Sequence, residues 1–173
     1  MSGDTTTPSS AGPLASAIKD AQDGKLTVSF SNEVRVNADE FVYIERDCEA
    51  FKEEIRNLQR IAEKISHREH WGLGETTDGM SSANTLVARF RGKAKIVNPA
   101  TDSDNNVFDI LAQHYQIVDE IQTLHRTIAQ KYIEQDQEFA ARYNELKANV
   151  DASQIGIPTQ LGVISPPAVG ASK

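Results

Sequence analysis

FVYIERDCEAFKEEIRNLQRIAEKI, residues 41–65, is the stretch that decides the fold. Its apolar side chains, Phe41, Ile44, Cys48, Phe51, Ile55, Leu58, Ala62 and Ile65, follow one another in alternating steps of 3 and 4. That spacing gathers them on one stripe of an α-helix and makes an uninterrupted coiled-coil seam. Glu49, Lys52, Glu53, Arg56, Arg60, Glu63 and Lys64 lie between them and read as a solvated face with some i,i+4 support. Upstream, Asn37 with Glu40 three residues on predicts a capping box. Downstream, the glycines of Trp71-Gly72-Leu73-Gly74 read as a helix stop, placing the end near His67–His70.

Outward from this helix, the chain offers two more. Ser81 or Ser82 predicts the start of a shorter helix to about Lys95, carrying Leu86, Phe90 and Ala94 and closed by Asn98-Pro99. A last helix is expected from Asn105 or Asn106 to about Lys147. Its seam is Ile110, Ile117, Ile121, Leu124 and Ile128, continued by Tyr132, Phe139, Tyr143 and Leu146. A rod of that length, roughly 64 Å at 1.5 Å per residue, is not stable alone and must lie against a partner of similar length. The first helix and the short one together match it. The spacing therefore predicts an all-α protein: an elongated antiparallel helical hairpin of two long helices, with a short helix in the connection. The short helix either extends the outgoing arm, which the lengths favour, or folds back as a cap. Dimerisation would complete a four-helix bundle.

The ends read differently. Residues 1–24 include a Ser/Thr/Pro/Gly-rich run in which Leu14, Ala17, Ile18 and Ala21 support a weak helical turn or two, and they are expected to be a disordered tail. Leu26 to Phe30 alternates like a short strand. Residues 149–173 carry Gly156, Pro158, Gly162, Pro166, Pro167 and Gly170 and are expected to be a second disordered tail. The hairpin domain is thus placed at 25–148.

Composition narrows the chemistry. The 173 residues hold 18 Lys+Arg against 25 Asp+Glu, a net charge of -7, which disfavours binding to nucleic acid or to anionic lipid. The single cysteine, Cys48, forms neither an intrachain disulfide nor a cysteine-based zinc site. No apolar stretch is long enough for a transmembrane segment, and Met1 to Gly12 lack the features of a secretory leader. His67 and His70 stand at i,i+3, but no further ligand motif accompanies them, so no metal or other cofactor is expected. His114 and His125 fall in or beside the last helix's seam and read best as interface imidazoles with a backbone or carboxylate partner, the alternative being a pH-sensitive interface. Arg89, Arg91, Lys93 and Lys95 form the one dense basic stretch and read best as a solvated face or a contact to an acidic partner. No catalytic constellation emerges: the carboxylates are spread along helix faces, and there is no phosphate loop or nucleophile motif. The expectation is a protein that is not an enzyme.

With the chain parsed this way, it resembles the type VII (ESX-type) secretion substrates of actinobacteria, the WXG family of helical hairpins and their longer Esp-like relatives. The likeness spans about residues 36–147. It rests on the hairpin plan, on the Trp-Gly break at Trp71, Gly72 and Gly74, and on Tyr132-Ile133-Glu134-Gln135-Asp136, which fits the family's YxxxD/E export motif. Tyr132 and Asp136 stand one turn apart on a helix and can be read together. The resemblance implies synthesis in the cytoplasm and export without a cleaved signal peptide to the cell surface or medium. It also implies pairing with itself or a second helical hairpin, and a composite signal read on the folded pair by a secretion ATPase or chaperone. The interface would come from Phe41, Ile44, Phe51, Ile55, Leu58, Ile117, Ile121, Leu124, Ile128 and Phe139. The same seams also fit a cytosolic coiled-coil adaptor or scaffold, which needs no motif.

Overall fold

The computed structural model describes residues 12–27 and 36–156. All regular structure among them is α-helical: α1 (Ala15–Gln22), α2 (Ala38–His67), α3 (Ser81–Ala94), α4 (Val107–Gln135) and α5 (Gln137–Asn149). Residues 28–30 of the expected strand and the tail beyond 156 lie outside the described residues; Leu26 and Thr27 are irregular.

Asn37 starts α2, its side-chain oxygen accepting from Asp39 N at 3.0 Å. Asn106 starts α4 in the same way, accepting from Asp109 N at 3.0 Å while its amide donates to Asp109 and to the Ser103 carbonyl. α3 begins at Ser81 with Met80 at the cap and no side-chain cap bond, so neither serine plays the role expected of it.

α2 and α4 run antiparallel: Gln59 reaches the Phe108 carbonyl, Lys52 reaches Asp119, and Glu45 is bonded by Arg126. As one number falls the other rises, so α2 begins where α4 ends. That end is called proximal here, and the end carrying the 68–80 loop distal.

Three features depart from the expected hairpin. First, the last helix is not continuous: Asp136 has extended backbone and joins α4 to a separate α5, with its carboxylate accepting from Glu138 N at 2.9 Å and Phe139 N at 3.0 Å. The chain turns back there, and α5 climbs α2 with Arg142 on Asp39 and Lys147 on Glu45. The reversal folds Phe139 onto Phe41, with Tyr143 stacked on Phe139, in place of continuing a seam. Second, α3 does not extend the outgoing arm but folds back on α2, where Arg91 donates to the Ser66 carbonyl at 2.6 Å and Lys95 meets Glu63 at 2.5 Å. Third, the packed unit exceeds 25–148. α1 lies on α4, with Leu14 N donating to Glu120 at 2.8 Å, and residues beyond α5 follow α2, with Ser153 on Asp47 at 2.7 Å.

The main core sits proximally. Ala38, Val42, Ala129, Phe139 and Tyr143 are buried together, with Phe41, Tyr132, Ile133, Leu146 and Val150 packed around them. Apolar burial on this scale is what holds short, propensity-limited helices such as α5 in place.

Candidate interaction site

The seam of α2 does not face α4 as one stripe. The residues buried along α2 are Ala38, Val42, Lys52, Ile55, Ala62 and Ser66, a ridge rotated from the apolar one. Ile55 and Ala62 belong to both and are enclosed, while Phe51, Leu58 and Ile65 are left exposed and Ile44 and Cys48 half-buried. On α4 the same split leaves Ile110 and Ile117 exposed and Ile121, Leu124 and Ile128 half-buried. Polar residues fill the contact. Lys52 is enclosed and donates to Gln122 at 2.7 Å, Asp119 at 2.9 Å and Glu49 at 3.2 Å. Burial alone pushes the Lys52 ammonium toward neutrality, but its partners outweigh that and hold it more firmly charged than usual. Gln122 in turn donates to the Glu45 carbonyl and to Glu49. Such a fully bonded network sets the register of two helices more than it stabilises them.

A second hub is proximal. The Glu45 carboxylate accepts from Arg126, Tyr143 and Lys147, tying α2 to α4 and α5. Burial raises its pKa, yet these hydrogen bonds dominate and keep it below the ordinary range. Nearby, His125 sits against the Phe41 ring, with Nδ1 buried and unpaired; burial lowers its pKa.

The distal end carries most of the exposed apolar surface. Every exposed large hydrophobic among the described residues except Val36 and Ile155 falls between Phe51 and Ile117. Leu73, Met80, Leu86 and Phe90 extend the set around the 68–80 loop. The loop itself is built. Trp71 stacks on Phe90 with centroids 5.6 Å apart, its indole nitrogen donates to the Arg68 carbonyl, and the Arg68 guanidinium lies over its ring. Glu75 holds the turn by accepting from the backbone nitrogens of Trp71, Gly72 and Leu73. Those bonds, the Trp71 one first, bring its pKa down to about 2. Gly72 and Gly74 both have left-handed backbone, with φ of 72° and 88°, which explains glycine at these two positions.

Trp71, Gly72 and Gly74 therefore stand at the distal end, while Tyr132 and Asp136 stand at the proximal end, separated by about 40 Å of helix. Tyr132 packs between Phe41 and Phe139, and Asp136 caps α5. Of the residues expected at an interface, Phe41 and Phe139 serve the chain's own core, and Ile55 is enclosed within the chain. The basic stretch is bonded within the chain at half-buried Arg91 and Lys95, which meet the Ser66 carbonyl and Glu63, while Lys93 stays exposed and reaches the Asn105 carbonyl. Glu75, Glu45 and Lys52 carry structure that periodicity did not single out. Glu75 had a local cue, a carboxylate two to four residues past a Trp-Gly turn; the partners of the other two lie far along the chain.

Among the described residues no helix is long and apolar enough to cross a membrane, and no cluster of His, Cys, Asp and Glu could hold a metal ion. No protein-family model, curated protein or solved structure matches the chain.

Proposed function

We propose that the protein acts by association and not by turnover. In this reading it is a non-enzymatic helical hairpin whose distal half pairs with a second hairpin to complete a helical bundle, and the folded pair is exported by a type VII secretion system. The pairing rests on one observation, the concentration of exposed apolar side chains from Phe51 to Ile117, beside a proximal end that buries its own. A concentration of exposed apolar side chains in one half of a molecule supports a role in protein–protein contact. The export claim rests on Trp71-Gly72 and on Tyr132 with Asp136. Their positions at opposite ends support a composite signal: when two hairpins lie antiparallel, Trp71 of one comes toward the Tyr132 end of the other, where a secretion ATPase or chaperone can read both.

Because Tyr132 and Asp136 also serve packing and capping, the test must spare those roles. Asp136→Asn keeps an N-cap and removes the acid; Tyr132→Phe keeps the ring and removes the hydroxyl. Export of the parent chain to the culture medium, abolished in Asp136→Asn at unchanged thermal stability, is the expected result. No export of the parent, or full export of both variants, would remove the secretion claim. A second reading, a cytosolic coiled-coil adaptor, is favoured by that same double use: Tyr132 is packed on Phe41 and Phe139 and Asp136 caps α5, so the fold accounts for both without an export role. It predicts that the parent stays inside the cell.

A further inference from the structure

We infer that the partner on the distal surface is a second copy of this chain, lying antiparallel along α2 with the two-fold axis between Leu58 and Ile61. The inference rests on the pairing reading above and names its partner.

The outward face of α2 presents Asp47, Phe51, Glu54, Leu58, Ile61 and Ile65, again in alternating steps of 4 and 3, and Arg68 caps the helix three residues on. The four apolar members are 46%, 40%, 51% and 37% exposed, while Ile55, Ala62 and Ser66 on the adjoining ridge are buried inside the chain. This second stripe is therefore left over once the intrachain contacts are made. It is acidic at its start, apolar in its middle and basic at its end, with Lys64 beside it. A stripe of that order is complementary to its own reverse, whereas a parallel copy would set acid on acid and base on base. Among the described residues Glu54, Lys64 and Arg68 make no ion pair within the chain. Asp47 is already held by Arg46 and Ser153 and adds only its field.

The register sets the two central apolar residues of the stripe against each other and brings the basic end of one copy to the acidic start of the other. Leu58 of each copy meets Ile61 of the other. Arg68 then lies opposite Phe51 with Asp47 and Glu54 a turn to either side, and Lys64 falls beside Glu54. The contact is isologous, as a closed two-fold dimer requires. It also sets Trp71 about two turns from the level of Phe41 in the other copy, near the proximal aromatic cluster.

Sedimentation of the purified full chain over a concentration series should show a dimer. In a Cys48→Ser background, Leu58→Cys and Ile61→Cys should cross-link with a short bis-maleimide. Glu40→Cys should not, because its two copies would stand about 60 Å apart. Leu58→Glu should weaken the dimer at least tenfold with helicity unchanged, since the side chain is already exposed. Glu54→Lys should weaken it, and adding Lys64→Glu should restore it. A monomer at all concentrations, cross-linking at Glu40 as strong as at Leu58, or a dimer indifferent to Leu58→Glu would each overturn the inference. A monomer that instead forms a stoichiometric complex with a different helical protein, lost in Leu58→Glu, would overturn self-pairing and leave the pairing reading standing. A monomer whose Leu58→Glu variant is exported and binds as the parent does would end both.

Discussion

The two ends of the α2–α4 pair solve the same problem in opposite ways. At the proximal end α1 and α5 fold over the pair, and an aromatic cluster of Phe41, Tyr132, Phe139 and Tyr143 is closed within one chain. At the distal end only α3 returns, and Phe51, Leu58, Ile61, Ile65, Ile110 and Ile117 stay in solvent. A helix buries its apolar stripe wherever a neighbour is available, and the chain supplies α1 and α5 to one end but only α3 to the other. The seam of α2 is thus covered up to Cys48, while from Phe51 onward only Ile55 and Ala62 are enclosed and Phe51, Leu58 and Ile65 are left open.

Mutations can break this comparison. The largest effect is expected at the proximal core: Phe139→Ala should cost about 3–5 kcal/mol in urea unfolding, because the ring is buried among other rings. A loss below about 1 kcal/mol would show that α5 is not held by its aromatic face. Leu58→Ala should change stability in dilute solution by less than about 1 kcal/mol, yet lower the association measured at high concentration. Equal losses at Phe139 and Leu58 would erase the distinction between the ends.

Asp136→Ala should cost about 1 kcal/mol, and Asp136→Asn much less, as befits a cap. A smaller pH effect follows from His125. Its folded pKa is lowered by burial, so its contribution is complete above the ordinary value of 6.5 and is lost as pH falls through the lower folded value. Thermal melts from pH 7 to 5 should show this loss, and His125→Phe should flatten it. The weakest perturbation should be Glu75→Gln, which loosens the Trp71 turn and shifts indole fluorescence without changing the melting temperature. In the parent the turn should persist until the pH approaches the Glu75 value of about 2.

Much of this architecture was legible locally. The 3/4 spacing from Phe41 to Ile65 marked α2, Asn37 marked its start, and Asn105 or Asn106 marked the start of α4, which the structure places at Asn106. The break at Asp136 was not, because Tyr132, Phe139 and Tyr143 continue a helical period through it and neither proline nor glycine interrupts the run. Its only local signature was an aspartate followed by an acidic first turn, a weaker signal than the aromatic seam. The docking of α1 on α4, the return of α3, and the clusters at Glu45 and Lys52 join residues far apart in sequence, and periodicity holds no information about such pairs. For the candidate site, Phe51 and Leu58 were visible as seam residues. Which side of the seam stays open depended on Lys52 and Gln122 taking the contact with α4. Trp71 was visible as a helix stop, its Glu75 support was not, and its separation from Tyr132 followed from the antiparallel course of α2 and α4.

The most direct test of the division between a self-sufficient end and an unmet one is amide hydrogen exchange on the full chain at low and high protein concentration. The account predicts that residues 41–50 and 139–146 are equally protected at both, while 54–66 gain protection as concentration rises. Protection that is uniform along α2 and independent of concentration would contradict it.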